Sequence, residues 1–510
     1  MRMPLAPLAV QEALASTTDP VSQGLVAAIL VGVFVLLARE AAHRVLVVLG
    51  AVAVLWLLTY FTPWRLISFE GTRDALDINV LVLLAAMMAL VGVLKTTGVF
   101  EWAVAHLLRR AHGRPLAALS LVVWFTAALS AFLDNVTTVI FMTPMVIGLA
   151  RQLRMNAAAI LLPMVMASNI GGTATLIGDP PNIMIGSGAN LSFIEFLRTL
   201  TLPCAVMVVW LLVFSRWRFR DALVASDDVV TASHQVAVPA LTNPALARWM
   251  LVISAGVLIG FLTHHVTHMP AAVPATVGAA AALIVQDRLY LRDHRPTPAE
   301  RMHGVLVVTE RDIEWPTLAF FGFLFIIVGA AVETGLIGTL AVALQDGIAA
   351  GERAFGLSPQ ATLLFAALLI CWASGLLSAL IDNIPFVAVS IPIVAQLTGT
   401  LSGDTQVLWW ALSLGACLGG NGTPIGASAN VTTLGLAEKE GVPITFGGFT
   451  RVGAVVAAGT LVISSIFLAL YVYSGRSSAT LVTGAVFVVL ALGIRLRSRL
   501  TRAAPVATGG

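Results

Sequence analysis

The sequence predicts an all-α polytopic membrane protein: two inverted repeats of five spans plus a re-entrant hairpin each, and one extra C-terminal helix, about 11 spans and two hairpins in all. Three observations carry that prediction. Of 510 residues, 58% are hydrophobic and 11% charged, where soluble domains carry about a quarter charged. Apolar windows long enough to cross a bilayer recur along nearly the whole length, each crossing needing roughly 20 residues. Two polar motifs buried in such windows return at one common offset.

Taken in order, spans are expected near 21–38, 44–61, 78–94, 157–190, 199–215, 249–264, 271–287, 316–332, 406–437, 451–472 and 479–495. The segments 115–150 and 361–397 carry an Asp-Asn pair at their midpoints. Each is long enough for two half-depth arms, which predicts re-entrant hairpins. Non-helical backbone at that depth requires surrounding protein or a water-filled cavity. The N-terminal stretch is a poor signal peptide, with one arginine and a proline-broken apolar run.

The repeat is legible in the motifs. Ser130-Ala131 and Asp134-Asn135 of SAFLDNVTT return as Ser378-Ala379 and Asp382-Asn383 of SALIDNIPF, 248 residues later. The stretch 171-GGTATLIGDPPN-182 aligns with 419-GGNGTPIGASAN-430 at the same offset. Weaker echoes pair Val91-Gly92 and Thr97-Gly98 with Val328-Gly329 and Thr334-Gly335. The expected organisation is a first repeat over 1–220, a cytoplasmic loop 221–248, a second repeat over 249–474 with a cytoplasmic linker 288–311, and an extra helix with a basic tail over 475–510.

Basic residues set the orientation. The ends of the first hairpin carry Arg109, Arg110, Arg114, Arg151 and Arg154, while those of the second carry Arg353 beside Asp346, Glu352 and Asp404. The first hairpin is expected to enter from the cytoplasm and the second from outside. The N-terminus then lies outside and the C-terminus inside, in the inner (plasma) membrane. Opposite insertion of equal motifs implies a site near the midplane between the halves.

The glycine- and proline-rich segments 169–182 and 417–430 are expected to be helices unwound at mid-membrane. Gly171, Gly172 and Gly178, with Gly419, Gly420 and Gly426, would expose backbone to a solute; the structural alternative is glycine-packed helix crossing. Asp134, Asp382 and Asp179 are the intramembrane acids expected to carry protons, since an acid at that depth usually lines a polar path. Helix capping is the competing reading for all three. Asn135, Asn383, Thr137, Thr173, Thr175, Asn421, Thr423, Asn182 and Asn430 would supply neutral ligands. Lys95 and Glu333 read as snorkelling side chains.

Cys417 stands where Asn169 stands in the first half; it is a weak candidate As(III) ligand, with a small buried hydrophobe as the alternative. The three cysteines form no disulfide framework. His264, His265 and His268 cluster in an external loop, read mainly as a solvated turn. No GxxxxGK[ST] loop occurs, so no ATPase site or other cofactor site is expected, and the net charge of +3 reads as topology rather than nucleic-acid binding.

The four motifs SAFLDNVTT, NIGGTATLIGDPPN, SALIDNIPF and GACLGGNGTPIGASAN resemble the signatures of the ion transporter superfamily over nearly the whole chain beyond the first few dozen residues. They look most like the branch holding the arsenical pump membrane protein (ArsB), the melanosomal P protein and NhaD-type sodium/proton antiporters. The resemblance implies a scaffold that can form a homodimer, an elevator-like transport domain, and a site at Asp134-Asn135, Asp382-Asn383 and the segments 171–178 and 419–426. Dicarboxylate members have Ser-Asn-Thr at both hairpin tips. The aspartate here repels a dianion, which argues against citrate or succinate.

The expected function is export of arsenite and antimonite in exchange for protons, alone or with an arsenite-stimulated ATPase as partner. The alternatives are Na+/H+ antiport of the NhaD type, through a hard oxygen site, and an anion (chloride) channel. The acids argue against the channel, since anion pores favour Arg or Lys linings.

Overall fold

The computed structural model describes residues 19–39, 42–111, 114–152, 155–223, 240–294 and 308–503. Among these residues the regular structure is helical throughout. Among the described residues eight helices are long and apolar enough to cross a membrane, which makes this a multi-pass membrane protein. Arg154, the middle of the loop 221–248, most of the linker 288–311 and the side chains of His265 and the basic tail lie outside the described set.

The helices are α1 (Pro20–Ala38), α2 (Arg44–Phe61), α3 (Phe69–Ala75), α4 (Ile78–Lys95), α5 (Val99–Ala111), α6 (Pro115–Ser130), α7 (Asn135–Gln152), α8 (Ala158–Thr173), α9 (Pro180–Gly188) and α10 (Phe193–Arg218). The second half of the chain adds α11 (Pro244–Thr267), α12 (Ala272–His294), α13 (Trp315–Glu333), α14 (Leu336–Phe355), α15 (Pro359–Ser378), α16 (Asn383–Thr398), α17 (Val407–Gly419), α18 (Ser428–Lys439), α19 (Phe446–Ser474) and α20 (Arg476–Ala503). Their starts follow ordinary capping chemistry. Asp19 accepts backbone N–H groups of Val21 and Ser22 ahead of Pro20, and Ser192 forms a capping box with Glu195 at α10. Each satisfies donors that a helix start leaves without intrahelical partners.

Both Asp-Asn segments fold as two helices joined by a tight turn: α6 and α7 around residues 131–134, α15 and α16 around 379–382. The arms have 16, 18, 20 and 16 residues. At 1.5 Å per residue they rise roughly 24 to 30 Å, longer than the half-depth arms expected, and α15 alone has the length and composition of a full span. Nothing in hydropathy distinguishes an arm from a span, because both are uniformly apolar. The segments between spans hold α3, α5 and α14, which span counting does not anticipate; α5 and α14 are amphipathic, placing Arg109 and Arg110 in the last turn of one and Arg353 in the last turn of the other.

The predicted spans 157–190 and 406–437 are each two helices, α8 then α9 and α17 then α18. The breaks cover 174–179 and 420–427, the second containing two short 3-10 turns. They are shorter than the glycine content suggests. Gly171 and Gly172 lie in the last turn of α8, and Gly419 closes α17. At Gly171 a Cβ would run into the Ala127 backbone, and at Gly419 into that of Gly375. Here glycine permits close approach of the broken helix to the first hairpin arm, as the helix-crossing alternative has it.

The packing recurs between the two halves. α6 packs on α8 as α15 packs on α17, and α2 packs on α13 as α12 packs on α4. The short helix after each break leans on the hairpin of the other half: α9 on α16, α18 on α7. The two broken helices meet where α8 contacts α17.

Gly171→Ala is expected to destabilise the protein by about 1–3 kcal/mol through overpacking, read as a lower midpoint of thermal unfolding in detergent. Gly24→Ala, with nothing within 4 Å of its added Cβ, should leave the midpoint unchanged.

Candidate functional site

The breaks expose backbone carbonyls, and the sequence supplies the donors that absorb them. Asn182, one turn into α9, donates its amide to the carbonyls of Gly172, Thr173 and Thr175 at 3.3, 3.1 and 2.9 Å. Asn430 does the same in the second half, reaching Gly420 and Thr423 at 2.8 and 2.9 Å. The Thr175 hydroxyl donates to the Ala131 carbonyl at the first hairpin tip, and Thr423 donates to Ala379 at the second. Thr173 donates to the Asn169 carbonyl at 2.7 Å. Thr173, Thr175 and Thr423, expected as solute ligands, therefore spend their hydroxyls on the framework.

The crossing of the broken helices is a lattice of amides. Asn169 donates to Asn421 Oδ1 at 2.9 Å and to Asn430 Oδ1 at 3.1 Å, and accepts from Asn135 at 3.2 Å. In the other half, Cys417 occupies the matching position and its thiol lies 3.6 Å from Asn182 Oδ1, which also accepts from Ser413 at 2.7 Å. Cys417 is fully buried and is not among the residues on the wall of the cavity described below. Asn169 was legible only as the partner of Cys417 in the repeat, and its place as the hub was not.

Both tip aspartates cap the second arm of their hairpin. Asp134 accepts the Thr137 backbone N–H at 2.8 Å and its hydroxyl at 2.5 Å; Asp382 accepts the Ile384 N–H at 3.2 Å and the Ser428 hydroxyl at 2.9 Å. Thr137 thus faces Asp134. Asp179 occupies the N-cap position of α9 yet makes no side-chain cap bond, so the capping reading fails for this acid.

A cavity with about 50 Å³ open to the centre of a water molecule lies between these elements. Asp134 and Asn135 reach it from the first tip, Asn383 from the second, Asp179 from the break in α8–α9 and Ser428 from the start of α18. Apolar Leu84, Met87, Met88 and Val91 of α4 close one side. Asp179 and Asn383 are 1% and 3% exposed, and among the described residues neither Asp179 Oδ2 nor Asn383 Nδ2 has a hydrogen-bond partner. Asn383 is the counterpart of Asn135, which bonds Asn169, but the Asn383 donor is unused. Buried polar atoms are nearly always satisfied, so an unpaired acceptor and an unpaired donor on one small cavity make it the candidate site.

The wall also holds Arg44, Glu314 and Thr317, none of which the sequence reading selected. Arg44 and Glu314 sit at the starts of α2 and α13, where charges read as membrane-boundary residues. Asp382 does not reach this cavity; it lines a larger space of about 440 Å³, together with Arg44, Glu314, Ser428 and His43. A third space of about 560 Å³ lies on the other side of Ile183, lined by Asn79, Glu195, His264 and His268. His264 Nε2 accepts the Phe193 backbone N–H at 3.1 Å. Lys95 lies 3.4 Å from Asp312, and Glu333 is exposed at the end of α13. Among the described residues no group of three or more His, Cys, Asp or Glu is placed to hold a metal ion.

Asn169→Ala removes a hub that joins three asparagines. It is expected to cost about 1–3 kcal/mol, the penalty for stranding buried partners, seen as a lower unfolding midpoint.

The model of the citrate transporter family CitMHS matches residues 34–415. An uncharacterized transporter of Mycobacterium tuberculosis is 36% identical over 446 residues, covering 86% of this chain and 96% of its own. The P protein of Homo sapiens is 31% identical over 509 residues, covering 84% of this chain and 57% of that protein. The crystal structure of the Alcanivorax borkumensis YdaH transporter superposes with a TM-score of 0.52 at 17% identity, covering 85% of this chain and 99% of its own, a likeness of fold.

Proposed function

The chain belongs to the CitMHS citrate transporter family, and on that premise we propose that it is a secondary active exporter of arsenite and antimonite that exchanges its solute for protons. The observation that carries the reading is the pairing of Asp179 Oδ2 with Asn383 Nδ2, an acceptor and a donor both buried and both unused, on one small cavity. A solute bearing hydroxyl groups answers both, donating to the carboxylate and accepting from the amide. At neutral pH As(III) is mostly As(OH)3, which offers three such groups. A water needs about 10–15 Å³ of such space, so the 50 Å³ here suits a solute of a few non-hydrogen atoms.

The family description names citrate. In this chain Asp134, Asp179 and Glu314 share the cavity, and their carboxylates repel a tricarboxylate that is also too large for the space. The same three acids are the observation behind a second reading, Na+/H+ exchange. It is weaker because the unpaired Asn383 amide offers a donor, and a bare cation wants acceptors.

The proton-carrying groups are Asp134, Asp179 and Asp382, with Asn135, Asn383 and the backbone around the breaks as neutral contacts. Two inverted repeats with elevator-like motion of the hairpins and broken helices fit the recurrence of packing between the halves. With the arginine-rich end of the first hairpin inside, the 440 Å³ space is a cytoplasmic vestibule. It shares Arg44, Val136, Glu314 and Ser428 with the cavity, as an inward-facing state would.

Purified protein in vesicles with a trapped pH dye tests this. As(III) is expected to drive proton movement, and Asp179→Asn to reduce it at least about tenfold, consistent with loss of an acid that carries the proton. Proton movement with Na+ alone and none with As(III) would replace this reading with the antiporter; chloride current independent of the proton gradient would replace it with the channel.

A further inference from the structure

Arg44 joins the two spaces on the proposed cytoplasmic side. It lines both the 440 Å³ vestibule and the 50 Å³ cavity, as do Glu314 and Ser428, so these residues form the wall between them. Arg44 Nη1 donates to the Ser428 hydroxyl at 3.2 Å, and that hydroxyl donates to Asp382 at 2.9 Å. Arg44 Nη2 donates to the Thr317 hydroxyl at 3.1 Å, and that hydroxyl donates to Glu314 at 2.9 Å. The guanidinium also lies 5.7 Å from the centre of the Phe320 ring, a cation–π contact.

This arrangement fixes a positive charge without spending it on one partner. Each carboxylate is reached through a hydroxyl, and among the described residues no Asp or Glu oxygen lies in ion-pair contact with Arg44. A guanidinium stays protonated at any physiological pH, so its charge is permanent while the acids around it can gain and lose protons. The four carboxyl groups of the two spaces, Asp134, Asp179, Asp382 and Glu314, would otherwise draw small cations inward. A fixed charge at the entrance opposes that, and it leaves a neutral solute unaffected.

We propose that Arg44 determines the charge selectivity of the site: it keeps Na+ and similar monovalent cations from the inner carboxylates and so reserves them for protons and an uncharged, hydroxyl-bearing solute. The proposal rests on the transport reading above and names the residue that separates it from cation antiport. It binds Arg44 to a sign: removing the positive charge admits cations, and restoring the charge balance excludes them again.

The test uses the full chain in vesicles with a trapped pH dye and compares Na+-driven proton movement in wild type, Arg44→Gln, Arg44→Lys and the double variant Arg44→Gln with Glu314→Gln. Arg44→Gln is expected to raise the Na+-driven rate about tenfold or more, as loss of a nearby unit charge in a poorly screened site requires. Arg44→Lys should stay near wild type, and the double variant should fall back towards it. A gain cannot come from unfolded protein, and a single symmetric peak in gel filtration checks each variant. The proposal is overturned if Arg44→Gln leaves the Na+ rate unchanged or lowers it, if Arg44→Lys rises as much, or if the double variant stays high. Wild-type vesicles that ignore As(III) would refute the solute reading, while the ratio of Arg44→Gln to wild type with Na+ still reports on Arg44.

Discussion

Unpaired backbone is the constraint on which the rest of this structure depends. An apolar surround offers no water to carbonyls and amides released where a helix breaks. The chain breaks two helices in its interior and must supply partners from within. Asn182 and Asn430 do so from the helices that follow each break, and Thr175 and Thr423 tie each break to a hairpin tip. Once those bonds are made, the tips, the breaks and the two half-helices have one relative arrangement. Close approach at Gly171 and Gly419 lets them form.

The candidate site is made of what that framework leaves over. Most polar side chains in the motifs are consumed by structure, including three threonines and the asparagines at the crossing. Among the described residues, Asp179 and Asn383 each keep an unused buried atom and also line the small cavity. In the repeat Asp179 is matched by Ala427, and Asn169, the partner of Asn135, by Cys417. Helix contacts recur between the halves, and Asp179 and Cys417 stand at positions where the two motif sets differ. Among the described residues, four carboxyl groups and the Arg44 guanidinium line the two spaces.

Much of the fold was legible because its signals are local. Apolar length located α1, α2, α4, α10, α13 and α19, and the glycine and proline clusters located both breaks to within a few residues. The turns at 131–134 and 379–382 followed from the acid-amide pairs. Arm length did not follow, since hydropathy cannot tell a hairpin arm from a span, and neither did α3, α5 and α14, whose mixed composition resembles a loop. For the site, Asp134, Asn135, Asp179 and Asn383 were selected and do share one cavity. Asp382 sits instead behind Ser428, and Thr173, Thr175 and Thr423 face backbone.

By itself the sequence determined that this is a multi-pass membrane chain with two matched sets of breaks and buried acids, because composition, spacing and repetition are properties of the chain alone. Only the tertiary structure decided which polar atoms remain free and which charges meet them. Arg44 and Asp382 are 338 residues apart and share no motif, yet one serine hydroxyl connects them. Hydrogen bonds are short-ranged and directional, so whether a threonine serves the backbone or a solute depends on atoms that sequence distance does not reveal.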